Sequence, residues 1–170
     1  MKFQWESYVW DAPHPVAIGE LEALEQQWGV SLPDEYRSVV SVHQGMTPNP
    51  HIIDIGRGES SICTFLTISE DESSRVYSMR DAHNLLKPHT PPGIYPFALT
   101  GSGEYVCFDY RDAPSQPSIV FVAQVIGGGR IGAEGEAVGQ QHFATAPPSR
   151  CGGEERDAPP GRSRGGERGA

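Results

Sequence analysis

Residues 18 to 45, IGELEALEQQWGVSLPDEYRSVVSVHQG, constrain the chain more than any other stretch, because they spell two short amphipathic segments joined by a Gly-x-x-Leu-Pro corner. Ile18, Leu21, Leu24 and Trp28 recur at three- and four-residue steps, with Glu20, Glu22, Glu25 and Gln26 on the remaining face. That spacing predicts a helix with one apolar stripe. Gly29 suits the left-handed residue after a last helical turn, and Val30 can fold back on the stripe as the apolar partner of such a cap. Ser31-Leu32-Pro33-Asp34 then restarts the chain. Pro33 is tolerated in a first turn, and Ser31 or the Asp34 and Glu35 carboxylates can answer the free amides there. Tyr36, Val39, Val40 and His43 make a second stripe that Gln44 and Gly45 end. Stripes of this kind are most often core, so the expectation is a helical hairpin packed against another layer.

The rest of the chain supplies that layer as strands. Ile52 to Ile55 reads as a short strand, Gly56-Arg57-Gly58 as a turn, and Ile62 to Ile68 as a second strand rich in β-branched residues. Tyr95 to Leu99, Glu104 to Tyr110 and Ser118 to Ala123 give three more. Thr100-Gly101-Ser102-Gly103 joins the first two of these as a hairpin turn, with glycines for positive φ angles. Along Glu104 to Tyr110, Val106, Phe108 and Tyr110 alternate with Tyr105, Cys107 and Asp109, and the first set is expected to face the helices. Between the two groups of strands, Ser69-Glu70-Asp71-Glu72 reads as a capped helix start or an acidic loop. Val76, Met79, Ala82, His83 and Leu86 follow as a weaker third helix that stops before Pro88. Asp11-Ala12-Pro13-His14-Pro15 is a breaker cluster that launches the first helix, and Thr47-Pro48-Asn49-Pro50 is expected to be an extended loop. Phe3, Trp5, Tyr8, Val9 and Trp10 offer aromatic bulk that can close over the core.

Two blocks carry a family resemblance. The first is the isoleucine-led helix, Glu25 seven residues before Leu32-Pro33, then Asp34-x-Tyr36 and the run to Gly45. The second is Gly103-Glu104 followed by Val106-Cys107-Phe108-Asp109. Together, in this order and spacing, they resemble the SUKH superfamily over residues 18 to about 122. Those are small α+β domains, among them immunity proteins of bacterial polymorphic toxin systems and relatives in fungal cell-wall regulation. The superfamily usually has Asp where this chain has Glu104. The resemblance implies a SUKH-like single α+β domain, a mostly antiparallel sheet packed against N-terminal helices. It assigns Leu32, Pro33, Tyr36, Gly45, Gly103 and Phe108 to the fold.

Charge and composition divide the chain. Up to residue 126 there are sixteen acids against seven bases, and beyond it six against six, so all of the net charge of −9 belongs to the front. A surface of that sign repels phosphate backbones and attracts and steers a basic protein. From residue 127 on, twelve of the 20 glycines fall in the last 44 residues, with six arginines and no lysine. Large apolar side chains there amount to little beyond Ile131, Val138 and Phe143. Such a segment buries too little surface to offset its ordering entropy, so the expected division is a domain over 1–126 and a disordered tail over 127–170. The tail is either a genuine linker or the out-of-frame product of GC-rich codons. The N-terminus lacks the apolar run of a signal peptide and no segment approaches the roughly 18 to 20 apolar residues of a membrane span, which reads as cytoplasmic. Cys63, Cys107 and Cys151 lie far apart without a C-x-x-C pair, and the first two read as small buried hydrophobes inside strands.

No residue pattern points to catalysis. Gly101 and Gly103 precede a strand, which lacks the helix N-terminus that a phosphate loop uses. His83, His89 and Cys107 match no zinc spacing. Cys63 and Cys107 sit mid-strand in an acidic chain, away from the electropositive setting that a thiolate nucleophile needs. The expectation is therefore a non-enzyme without cofactor or metal. The SUKH resemblance implies an immunity-type module that neutralises a cognate toxin by binding it, and the acidic front suits a toxin of basic, nuclease-like character. The alternative is a protein-interaction scaffold of the cell-wall-regulator type. The acids expected to touch the partner are Glu70, Asp71 and Glu72, with Glu104, Asp109 and Asp112 near the hairpin. Trp10, Tyr95 and Tyr110 are the candidate aromatic anchors.

Overall fold

The computed structural model describes residues 4–54 and 58–123. The expected helical hairpin is α1, Glu20–Trp28, followed by α2, Asp34–His43. Gly29 closes α1 at φ 68°, and the amides of Gly29 and Val30 both return to the Glu25 carbonyl, which is the left-handed cap foreseen from the sequence. Leu21, Leu24, Tyr36 and Val40 are buried, while Trp28 and Val30 are partly buried against them.

Five strands form an antiparallel meander in sequence order: β3 Ile52–Asp54, β4 Glu59–Phe65, β5 Ile94–Thr100, β6 Tyr105–Asp109 and β7 Ser118–Val122. The two remaining strands, β1 Gln4–Ser7 and β2 Met46–Asn49, pair antiparallel as a separate ribbon. Thr47 to Asn49 is thus part of a strand where a loop was expected. Pro48 leaves one ladder amide unmade, which a two-stranded ribbon tolerates at its edge. Pro96 lies in the middle of β5, next to a register shift between Pro96 and Ala98 that absorbs its missing amide. Phe97, within the shift, stacks on Phe108 with ring centroids 4.2 Å apart.

The three α-helices among the described residues meet one face of the sheet. Tyr36 of α2 packs edge-on against Phe97 and Phe108, and its hydroxyl donates to Met79 Sδ in α3, Met79–Leu86. Trp28 of α1 and His83 of α3 both lie against Tyr95 of β5. Phe108 and Tyr110 face the helices as the alternation predicts, with the Tyr110 hydroxyl donating to the Ser31 carbonyl at 2.7 Å. Cys63 and Cys107 are buried, and burial pushes the Cys107 thiol far up.

Three further expectations need correction. Ile18 is fully exposed, because Gly19 at φ 87° turns the chain and α1 begins only at Glu20. The third helix is two pieces, a 3-10 helix Glu72–Tyr77 and then α3, separated by extended Ser78, so Val76 faces solvent. The β4 strand stops at Phe65, and Thr67 only bridges to Ser78 beyond it. The tail expected over 127–170, and Ile55 of the strand expected over 52–55, lie outside the described residues.

Candidate protein-docking surface

The buried side chain of Gln44 determines which surface residues meet. As the residue closing α2 it is wholly enclosed. Its Oε1 accepts the amides of Ile68 and Ser69 at 2.8 and 3.0 Å, and its Nε2 donates to the His14 carbonyl and to Ser69 Oγ, both at 2.8 Å. Ser69 Oγ in turn donates to Glu20 Oε2 at 2.6 Å, which also accepts the Ala17 amide. The 10–20 loop and the 68–72 loop are therefore locked side by side. Gly45 completes the arrangement: a Cβ there would lie 2.8 Å from the Trp10 ring and 3.0 Å from Val9 Cβ, so only glycine lets this arm close.

Trp10 and His14 stack with centroids 4.3 Å apart, and Trp10 Nε1 donates to Asp71 Oδ2 at 3.4 Å. Asp71 also caps the 3-10 helix, accepting the Ser73 amide at 3.0 Å and the Ser73 hydroxyl at 2.7 Å. The Ser73 hydroxyl, then its amide, then Trp10 hold the Asp71 carboxyl below the usual carboxylate range. Glu70 projects into solvent 3.6 Å from Arg80, and Glu72 is exposed beside it. Arg80 is anchored independently by the Ile68 carbonyl and Gln27. Glu70, Asp71 and Glu72 thus stand together with Trp10 and His14 as one acidic and aromatic patch.

The hairpin acids are placed differently. Glu104 sits half-buried at the start of β6, accepting from Ser102 Oγ, while Asp112 is exposed beyond the other end of the strand. At roughly 3.3 Å per residue, β6 holds the two more than about 15 Å apart. Asp109 is only 5% exposed and binds Arg111 through a fork, Oδ1 to Nε at 2.9 Å and Oδ2 to Nη2 at 2.6 Å, with Oδ1 also taking the Arg111 amide. It is committed to its own chain, not presented to another. The anchors separate likewise: Tyr110 is buried in the core, Tyr95 is half-buried against Trp28, and Trp10 alone of the three adjoins the acids. His14, which the sequence marked only as part of a breaker cluster, is the residue that reading missed; a His between two prolines, four residues after a Trp, carries no signal of a ring stack.

Among the described residues, no group of three or more His, Cys, Asp or Glu is arranged to hold a metal ion, and no helix is long and apolar enough to cross a membrane. These features define a small α+β domain, a helical layer on an antiparallel meander, whose exposed chemistry is charge and aromatic surface. The sequence matches the SMI1 / KNR4 family (SUKH-1) over residues 15–139, and the chain belongs to that family. The match takes in both the Leu-Pro corner and the β5–β6 hairpin and runs on past Ala123. No curated protein and no solved structure matches the chain. Membership of the family supports an immunity-like or cell-wall-regulator-like domain that works by contact with another protein.

Proposed function

We propose that this chain is an immunity-type binding module that docks on a basic, nuclease-like toxin domain and blocks its active site without doing chemistry itself. The observation that carries the reading is the patch in which Trp10, His14, Glu70, Asp71 and Glu72 share one surface held by Gln44. An aromatic face amid carboxylates suits a basic partner: the charges raise the encounter rate, and desolvation of the aromatic slows dissociation. Glu104 and Asp112 add to the attracting field at a distance, whereas Asp109 is held by Arg111. The net charge of −9 argues against nucleic acid as the direct partner.

The test is association with the product of the neighbouring gene, measured by stopped flow at low and high salt. Replacing Glu70, Asp71 and Glu72 by Gln, Asn and Gln is expected to slow association and flatten its salt dependence, and Trp10→Ala to speed dissociation. A complex whose rates ignore both salt and these substitutions sinks the proposal. The second reading, a scaffold of the cell-wall-regulator type, rests on the other branch of the same family. It predicts no inhibition of a neighbouring toxin.

A further inference from the structure

Ile18 is an isoleucine with no part in the fold. It is fully exposed, lifted out by Gly19 at φ 87°, in open space on a loop whose other members are tied down. The Val16 amide donates to the Ser41 carbonyl and the Ala17 amide to Glu20. Beside Ile18 lies an open groove of about 700 Å³ between this loop and α2, bordered by Val16, Leu21, Glu22, Arg37 and Ser41. Its polar side chains are already engaged. Ser38 and Ser41 donate to the carbonyls of Asp34 and Arg37, and Arg37 is held by Glu22 and Glu25. Val16, Ala17 and Ile18 leave it an apolar wall on the loop side.

The charge around the groove names the company that an apolar side chain keeps there. Of the five acids in residues 15 to 45, Glu25 is paired with the one arginine and Glu20 is bound to Ser69, which leaves Glu22, more than half exposed on the groove's edge, with Asp34 and Glu35 exposed on α2. The loop that borders the groove is bonded to the 68–72 loop of the acidic patch: Glu20 accepts both the Ala17 amide and the Ser69 hydroxyl, and Glu70 follows Ser69. We infer that the groove beside Ile18 receives an apolar side chain flanked by lysine or arginine on the protein partner, extending the docking surface onto the α1–α2 hairpin. This rests on the docking function proposed above. Ile18 gains burial only in the complex.

The experiment compares wild type with Ile18→Ser and Glu22→Gln. Burial of one isoleucine corresponds to about a tenfold change in affinity or more, so Ile18→Ser is expected to weaken binding of the neighbouring gene product at least tenfold. Its thermal midpoint should stay unchanged, and Glu22→Gln should mainly slow association. Equal binding by Ile18→Ser and wild type overturns the inference and leaves the docking function standing. If the neighbouring product does not bind at all, that function fails, and two peptide probes decide the groove by themselves. The labelled protein is titrated with Lys-Leu-Lys-Leu-Lys amide and with Lys-Ser-Lys-Ser-Lys amide. Amide shifts at residues 16–19 and 38–42 with the leucine peptide only, lost in Ile18→Ser, support the groove, and their absence overturns it. A wild-type dimer that Ile18→Ser converts to monomer overturns it as well, because the occupant is then a second copy.

Discussion

Glu25 Oε1 accepts the backbone amide of Leu32 at 2.7 Å, seven residues further on, so a side chain of α1 secures the corner that starts α2. The same carboxylate takes Arg37 Nη1 at 2.7 and 3.0 Å, and neither Pro33 nor any side chain before it caps α2. Glu25 is only 12% exposed, which shields these bonds from water. Charge-assisted hydrogen bonds in such settings are worth about 1.5–3 kcal/mol. Glu25→Ala should therefore lower the urea unfolding free energy by about 2–3 kcal/mol. Glu25→Gln should lose roughly half of that, since its amide oxygen still accepts from Leu32. A loss under about 0.5 kcal/mol for Glu25→Ala, the level of an ordinary surface change, shows that the corner stands without the carboxylate.

Two glycines in the left-handed region separate backbone strain from crowding. Gly29 and Gly45 share φ 68°, yet a Cβ on Gly29 meets nothing within 4 Å and one on Gly45 meets Trp10 and Val9. Gly29→Ala is expected to cost about 1 kcal/mol, the backbone part alone. Gly45→Ala adds overpacking and should reach about 3 kcal/mol. In a Trp10→Ala background the Gly45→Ala loss should shrink by about 1 kcal/mol, a coupling that chemical denaturation of the double-mutant cycle reads directly. Equal losses at the two glycines contradict the close approach of the Trp10 ring.

The helical hairpin, its Gly29 cap, the separate strands and the turn at 100–103 were legible because each rests on spacing within one short stretch. What the sequence hid depends on residues far apart. Gln44 reads as a helix end, yet its amide binds groups 24 to 30 residues away and thereby chooses which loops adjoin. The β1–β2 ribbon pairs Gln4 with Asn49, and no local pattern signals that partnership. Ile18 fits the helical period by number, but the period cannot sense that Gly19 leaves helical φ. Asp109 alternates correctly to the face away from the helices. Whether that face offers the acid to water or to Arg111 is a matter of burial, which alternation does not encode. The acids at 70 to 72 were readable as a helix start because Asp71 does cap the turn that follows.

Asp109 makes a pH prediction. Its hydrogen bonds from the Arg111 side chain, opposed by burial and reinforced by the Arg111 amide, hold its carboxyl below the ordinary value. A depressed folded pKa means that the unfolded chain binds the proton more readily. The stabilisation is then fully present above the unfolded value of about 3.9 and is lost as pH falls through the folded one. Asp109→Asn should remove this part of the acid limb, so that wild type loses stability more steeply than the variant below about pH 4. Urea midpoints taken at pH 3 to 6 give the comparison, and parallel limbs for the two proteins refute the role assigned to the Arg111 pair.

Two histidines shape the window above that. His43 lies flat on Trp5 with centroids 4.4 Å apart, and its Nδ1 is buried with no hydrogen-bond partner. Burial lowers its pKa. His83 is set against Trp28 and Tyr95 at 5.2 and 5.0 Å, and burial, then the Lys87 charge, lowers its pKa too. Both rings therefore prefer to stay neutral when folded, while the unfolded chain takes up protons near pH 6.5. Because the unfolded state binds more protons, stability rises with pH through this range and falls as the pH drops below about 6.5. Phenylalanine preserves each ring contact without a titrating group. His43→Phe and His83→Phe should each flatten the dependence of the urea midpoint on pH between 5 and 7, and the double variant should be flattest. A wild-type midpoint that does not change between those limits rules out both histidines as the source of acid sensitivity.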